Sequence, residues 1–102
     1  MTYLPTTSLG RSNLKVTRLG YGAGHRKPMD DIQREIIHKK VLEAGINYLD
    51  TAGCYGNSEE LIGRYLSNKR SEFYLATKCG CTSRNNPWTR ESMFEDLHQS
   101  LK

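Results

Sequence analysis

Three times along this chain a short run of strand-forming residues gives way to a segment whose apolar side chains recur at helical spacing. Strands that alternate with helices over short connections lie parallel, and each helix crosses back over the sheet in the right-handed sense. The chain therefore reads as α/β.

The first strand is expected over Arg18 to Ala23. Beyond a loop with Pro28, Asp30 and Gln33 form a capping-box pattern. Ile32, Ile36, Ile37, Val41 and Leu42 then fall close to helical period, and Gly45 supplies the stop. Ile46 to Asp50 is the second strand. Asn57 and Glu60 make another capping pair ahead of Leu61, Ile62, Tyr65 and Leu66, in a helix expected to end near Asn68. Lys69 and Arg70 follow where cations favour the negative end of the helix dipole. Phe73 to Thr77 is the third strand, and after a loop rich in Ser, Asn and Pro from Thr82 to Pro87, Thr89 caps a helix whose face is Met93, Phe94, Leu97 and Leu101. Ahead of these units, Leu9 to Val16 sets Gly, Ser and Asn between two short apolar positions, which reads as a hairpin turn. The expected order is a β-hairpin followed by three βα units, with no repeat or low-complexity stretch.

Three such units look the same in a doubly wound sheet and in a barrel until the strand order is known. The 102 residues suffice for one small domain, whereas a complete (β/α)8 barrel takes about 250. Either architecture is open at this point. Gly20, Gly22 and Gly24 do not make a dinucleotide fingerprint, because His25 stands where the third glycine of G-x-G-x-x-G belongs.

A net charge of +4 is spread over scattered basic residues among 11 acidic ones, which argues against a nucleic-acid stripe. Every apolar run is far shorter than the roughly 18 residues of a membrane helix, and the start has neither a basic nor an apolar leader region, so a soluble, cytoplasmic protein is expected. Cys54, Cys79 and Cys81 are odd in number and lack C-x-x-C spacing, so they are expected to be reduced packing residues, with no metal site.

Catalytic groups in α/β folds collect at the carboxyl ends of strands. Asp50 ends the second strand, Tyr55 lies in the loop after it, and Lys78 ends the third strand, so all three are expected on one face. An ordinary tyrosine donates a proton poorly at neutral pH, but a lysine cation beside it favours the phenolate, and a carboxylate can hold that lysine. This division of labour suits carbonyl reduction, in which hydride reaches carbon while an acid protonates the developing alkoxide. A plain surface ion pair of Asp50 with Lys78, and a Tyr55 ring that only packs, would satisfy the same spacing.

The run Gly45-Ile46-Asn47-Tyr48-Leu49-Asp50-Thr51-Ala52-Gly53-Cys54-Tyr55-Gly56-Asn57-Ser58-Glu59-Glu60-Leu61-Ile62-Gly63 closely resembles the aldo-keto reductase signature, D-T-A-x-x-Y-G followed by E and later [IL]-G. The resemblance extends upstream through Leu9-Gly10, Leu14-Lys15-Val16 and Leu19-Gly20-Tyr21-Gly22, and downstream through Leu75-Ala76-Thr77-Lys78. It implies the N-terminal part of a (β/α)8 TIM barrel, incomplete at this length, with residues 1–102 forming part of an NADP-dependent oxidoreductase domain. By the same resemblance Tyr55 is the acid/base, Lys78 modulates it and Asp50 partners the lysine. NADPH is the implied cofactor, approached by Gly22, Ala23 and Gly24 and by Asp50 near the nicotinamide ribose. The family's fourth catalytic member, a histidine after the fourth strand, would fall beyond Lys102, as would most of the residues that hold the adenosine phosphate. His25, His38 and His98 are expected to face solvent. The implied substrate is a small carbonyl compound.

A contrasting expectation, in keeping with the channel-associated β subunits among barrel relatives, is a non-catalytic interaction or regulatory module. Three units would leave an open barrel edge and uncovered helix faces, which favours self-association.

Overall fold

The computed structural model describes residues 3–24, 29–80 and 88–102. The hairpin is β1 (Thr6–Ser8) paired antiparallel with β2 (Lys15–Thr17). Then come β3 (Tyr21–Gly22), α1 (Asp31–Glu43), β4 (Tyr48–Asp50), α2 (Ser58–Leu66) running into a 3-10 segment (Ser67–Glu72), β5 (Tyr74–Ala76) and α3 (Arg90–Ser100). β3, β4 and β5 form one parallel sheet in that order. The expected hairpin and three βα units are all present.

The register puts the carboxyl ends of the strands level. Gly22 lies opposite Asp50, and Asp50 opposite Ala76. The ladder runs one step further on each side, through Ala23 N–H to the Asp50 carbonyl (2.8 Å) and Thr51 N–H to the Ala76 carbonyl (2.8 Å). Whatever follows each strand therefore emerges along the same edge.

Beneath that edge the core is Ala23, Val41, Leu49, Ile62, Leu66 and Phe73, all buried, with Tyr21, Ile37, Leu42, Ile46 and Leu75 packed around them. Each fully buried leucine contributes about 2 kcal/mol of apolar transfer, so Leu49 and Leu66 anchor the sheet to its helices.

Helix α1 starts where the capping pattern places it, with the Asp30 carboxylate accepting from the Gln33 N–H at 2.8 Å. Its rotation differs from the expectation. Ile32 and Ile36 are 70% and 49% exposed, while His38, expected in solvent, is 1% exposed and meets the Tyr21 ring edge-on at 5.7 Å. The stripe facing the sheet is centred on His38 and Val41, and at 100° per residue Ile32 and Ile36 fall on the opposite side.

The second capping pair does not form. Asn57 has φ −98° and ψ 21°, not the extended conformation of a capping residue, and its side chain makes no cap hydrogen bond. It accepts instead from Arg34 Nη1 at 2.7 Å, tying α2 to α1, while Glu60 pairs with Arg64 one turn on. Thr89 does cap α3, in a reciprocal box with Ser92. None of the expected α3 face is buried, and Phe94, Leu97 and Leu101 are exposed.

Cys79 is a free, exposed thiol, but Cys54 is disulfide-bonded, which corrects its reading as a reduced packing residue. Cys81, His25 and the loop from Thr82 to Pro87 lie outside the described residues. Among the described residues no helix is long and apolar enough to cross a membrane, and no cluster of His, Cys, Asp or Glu could hold a metal ion.

The hairpin is fastened to the amino-terminal side of the sheet through Asn47 and Thr17. Asn47 Oδ1 accepts from the Thr17 N–H (2.7 Å), Asn47 Nδ2 donates to the Lys15 carbonyl (2.9 Å), and the Thr17 hydroxyl accepts from the Asn47 N–H (3.2 Å). Asn47→Ala leaves the Thr17 N–H and the Lys15 carbonyl without these partners, so the free energy of unfolding in urea is expected to fall by about 2 kcal/mol. An unchanged unfolding midpoint would show that the hairpin is held by other contacts.

Candidate active site

The loop from Thr51 to Asn57 joins β4 to α2, and its shape is set by its own hydrogen bonds. The Tyr55 N–H reaches the Ala52 carbonyl (3.2 Å), the Ser58 N–H reaches the Tyr55 carbonyl (3.0 Å), and the buried hydroxyls of Thr51 and Ser58 close the base of the loop at 2.7 Å. Two consecutive turns of this kind hold Tyr55 half-buried above the carboxyl edge of the sheet. Gly24, after β3, abuts its ring: a Cβ built on Gly24 would stand 3.1 Å from Tyr55 Cε2. A larger residue there would displace the tyrosine.

The strand after α2 brings the lysine. Lys78 Nζ donates to both carboxylate oxygens of Asp50, at 3.0 Å each, and to the Thr51 carbonyl at 2.9 Å. The same ammonium lies 5.1 Å from the centroid of the Tyr55 ring, within cation–π range. Its backbone is tied to the tyrosine loop as well, since the Gly53 N–H donates to the Lys78 carbonyl at 3.2 Å. The structure thus brings Asp50, Tyr55 and Lys78 into one cluster at the ends of β4 and β5.

Asp50 and Lys78 keep 43% and 47% of their side-chain surface exposed, so the pair adds little to stability, and its consequence is positional. The hydrogen bond that Lys78 donates to Asp50 is the main cause that raises the Lys78 pKa above the ordinary 10.5; partial desolvation opposes it, and Tyr55 adds a smaller share upward. The lysine therefore carries its charge throughout the neutral range. Tyr21, the other tyrosine at this edge, has its phenol pushed up by burial, with Arg34 partly offsetting the rise. It packs against the core and is a poorer candidate for a proton donor.

The glycine-rich end of β3 is mixed. Gly22 is exposed, and a Cβ built there would meet nothing within 4 Å, so open space adjoins the strand opposite Asp50. Ala23 is buried in the core with its N–H committed to the Asp50 carbonyl.

Spacing did not disclose Glu59. Its carboxylate accepts from the Thr77 hydroxyl (2.8 Å) and the Ser100 hydroxyl (3.0 Å), linking three elements behind the lysine. The capping pattern singles out its neighbour Glu60 instead. An acidic residue at the second position of a helix directly after the tyrosine loop was the available signal.

A sequence profile described as the Aldo/keto reductase family matches residues 18–102. The chain belongs to the aldo/keto reductase family. It is 29% identical to L-galactose dehydrogenase of Arabidopsis thaliana over all of this chain and 35% of that protein. It is 36% identical to D-threo-aldose 1-dehydrogenase of a Pseudomonas species, over 79% of this chain and 27% of that one. Among solved structures, an aldo-keto reductase from Bacillus halodurans in its holo form superposes with a TM-score of 0.79 at 31% identity, covering 97% of this chain and 36% of its own. This aldo/keto reductase chain therefore spans about a third of the length of its relatives. Its hairpin and parallel sheet are the N-terminal part of their (β/α)8 barrel.

A lysine whose folded-state pKa is raised stabilises the fold below its unfolded value and loses that contribution as pH climbs through the folded one. Thermal unfolding is accordingly expected to show no pH dependence from Lys78 below about pH 10.5, where its contribution is fully present, and a loss of stability above it, and Asp50→Asn should lessen that alkaline loss. Identical alkaline profiles for the two proteins would count against the pairing.

Proposed function

We propose that the whole protein carrying these residues is a cytoplasmic NADPH-dependent reductase of small aldehydes or ketones, and that residues 1–102 form part of its NADP-dependent oxidoreductase domain. The observation that carries the reading is the Lys78 ammonium, held by Asp50 and facing the Tyr55 ring at 5.1 Å. A cation fixed beside a phenol at the carboxyl edge of a parallel sheet suits an acid that must give up a proton and be left as phenolate.

The residues present fit a nicotinamide. Gly22 offers open space opposite Asp50, and Gly24 allows the chain to pass close to Tyr55. Gly22, Gly24 and Asp50 would line that ring and its ribose, with Ala23 packed beneath them. When bound, the cofactor supplies the hydride. The roles of this chain's own residues follow from where charge develops. As the carbonyl carbon gains two electrons, its oxygen becomes an alkoxide, and Tyr55 transfers the hydroxyl proton to it. Lys78 stabilises the resulting phenolate, and Asp50 keeps the lysine from swinging away.

Tyr55→Phe in the whole protein is expected to lower kcat for carbonyl reduction by about 10²- to 10⁴-fold while leaving NADPH affinity within about twofold. A full rate in that variant would overturn the acid role.

A second reading is favoured by surface. β3 and β5 are the outer strands of the sheet, and α3 exposes Phe94, Leu97 and Leu101 at 46%, 42% and 75%. A polypeptide limited to residues 1–102 presents these flanks on opposite edges, where a second copy can add strand to strand. On this reading that polypeptide sediments as an oligomer and oxidises no NADPH in the presence of a carbonyl substrate. A monomer with turnover would overturn it.

A further inference from the structure

Two acidic residues stand side by side in the first turn of α2, and they are used differently. Glu60 turns outward, with its side chain 66% exposed in an i, i+4 pair with Arg64. Glu59 turns inward. Its Oε2 accepts from the hydroxyl of Thr77 at 2.8 Å, and its Oε1 from the hydroxyl of Ser100 at 3.0 Å. A Cβ built on Gly53 would stand 3.4 Å from Oε1, so the carboxylate also lies directly against the loop that carries Tyr55.

Thr77 immediately precedes Lys78. The lysine is thus gripped from two directions: its ammonium by Asp50 and the Thr51 carbonyl, and its backbone by the Gly53 N–H and by Glu59 acting through Thr77. β5 ends at Ala76, so beyond that residue the strand ladder no longer determines where the chain goes. Side-chain and loop contacts take over at the point where placement of the lysine matters.

A surface glutamate at a helix start would be adequately served by water and the helix dipole. Ordering this one against two hydroxyls costs side-chain entropy, and it returns a fixed relation between α2, the end of β5 and the end of α3. We propose that Glu59 is a positioning residue for Lys78, clamping Thr77 so that the ammonium stays between Asp50 and the Tyr55 ring. This inference rests on the reductase reading given above.

The test uses the whole protein and four variants beside Tyr55→Phe: Glu59→Ala, Glu59→Gln, Thr77→Val and the double variant Glu59→Ala with Thr77→Val. Glu59→Ala and Thr77→Val are each expected to lower kcat about tenfold with KM for the carbonyl and affinity for NADPH unchanged, because binding groups stay in place while the charge beside Tyr55 wanders. The double variant should be no slower than the slower single variant, since both changes break the same contact. Glu59→Gln, which retains an acceptor oxygen and can donate to the second hydroxyl, should recover most of the rate.

Full kcat in Thr77→Val and Glu59→Ala, with Tyr55→Phe inactive, overturns the clamp and leaves the reductase reading intact. A full rate in Tyr55→Phe overturns that reading and the clamp with it. Should Glu59→Ala fail to fold, Thr77→Val decides alone, because it preserves shape and removes only the hydroxyl. Additive losses in the double variant, or a loss expressed in KM, would mark Glu59 as a general packing residue and sink the proposal.

Discussion

The level register of β3, β4 and β5 is the constraint on which the candidate site depends. Parallel strands paired as Gly22 with Asp50 and Asp50 with Ala76 deliver three successive chain segments to one edge. Without that alignment Asp50, Tyr55 and Lys78, which come from a strand end, a loop and the stretch beyond another strand, would have no common place. Leu49, buried in the middle of β4 among Ile62, Leu66 and Phe73, is what prevents the strand from slipping, since a shift of one residue would send its side chain to the other face of the sheet.

On that edge stability and function part company. Apolar burial beneath the sheet holds the fold, while the charged pair above it is too exposed to contribute much. The worth of Asp50 to Lys78 is geometric: a long side chain with many rotamers is confined to one beside a phenol. The tight hydrogen-bonded loop from Thr51 to Asn57 does the same for Tyr55, and Glu59 extends this economy of fixed positions to the backbone that carries the lysine.

Much of the site is legible along the chain because its members sit where periodicities change, at the last residue of a strand or just beyond it. What escaped depends on contacts across long sequence separations. Glu59 meets Thr77 and Ser100 at separations of 18 and 41 residues, and nothing local foretells either. Asn57 has the residue type of a helix cap, yet Arg34, on another helix, engages its amide. His38 looked like a surface residue because histidine on a polar helix usually is one, and only the docking of α1 against Tyr21 turns it inward.

The sequence by itself determined the elements, their α/β order, the hairpin ahead of them and the candidate trio. These follow from period, capping residues and a long motif, all local in the chain. Tertiary structure alone decided the rotation of α1, which buries His38 and Val41 and leaves Ile32 and Ile36 outside. It also decided the tie of α2 to α1 and the grip on Lys78 from both sides. Those outcomes turn on which faces meet when separate elements pack, and free energies of that kind belong to pairs of elements, not to any stretch of residues read alone.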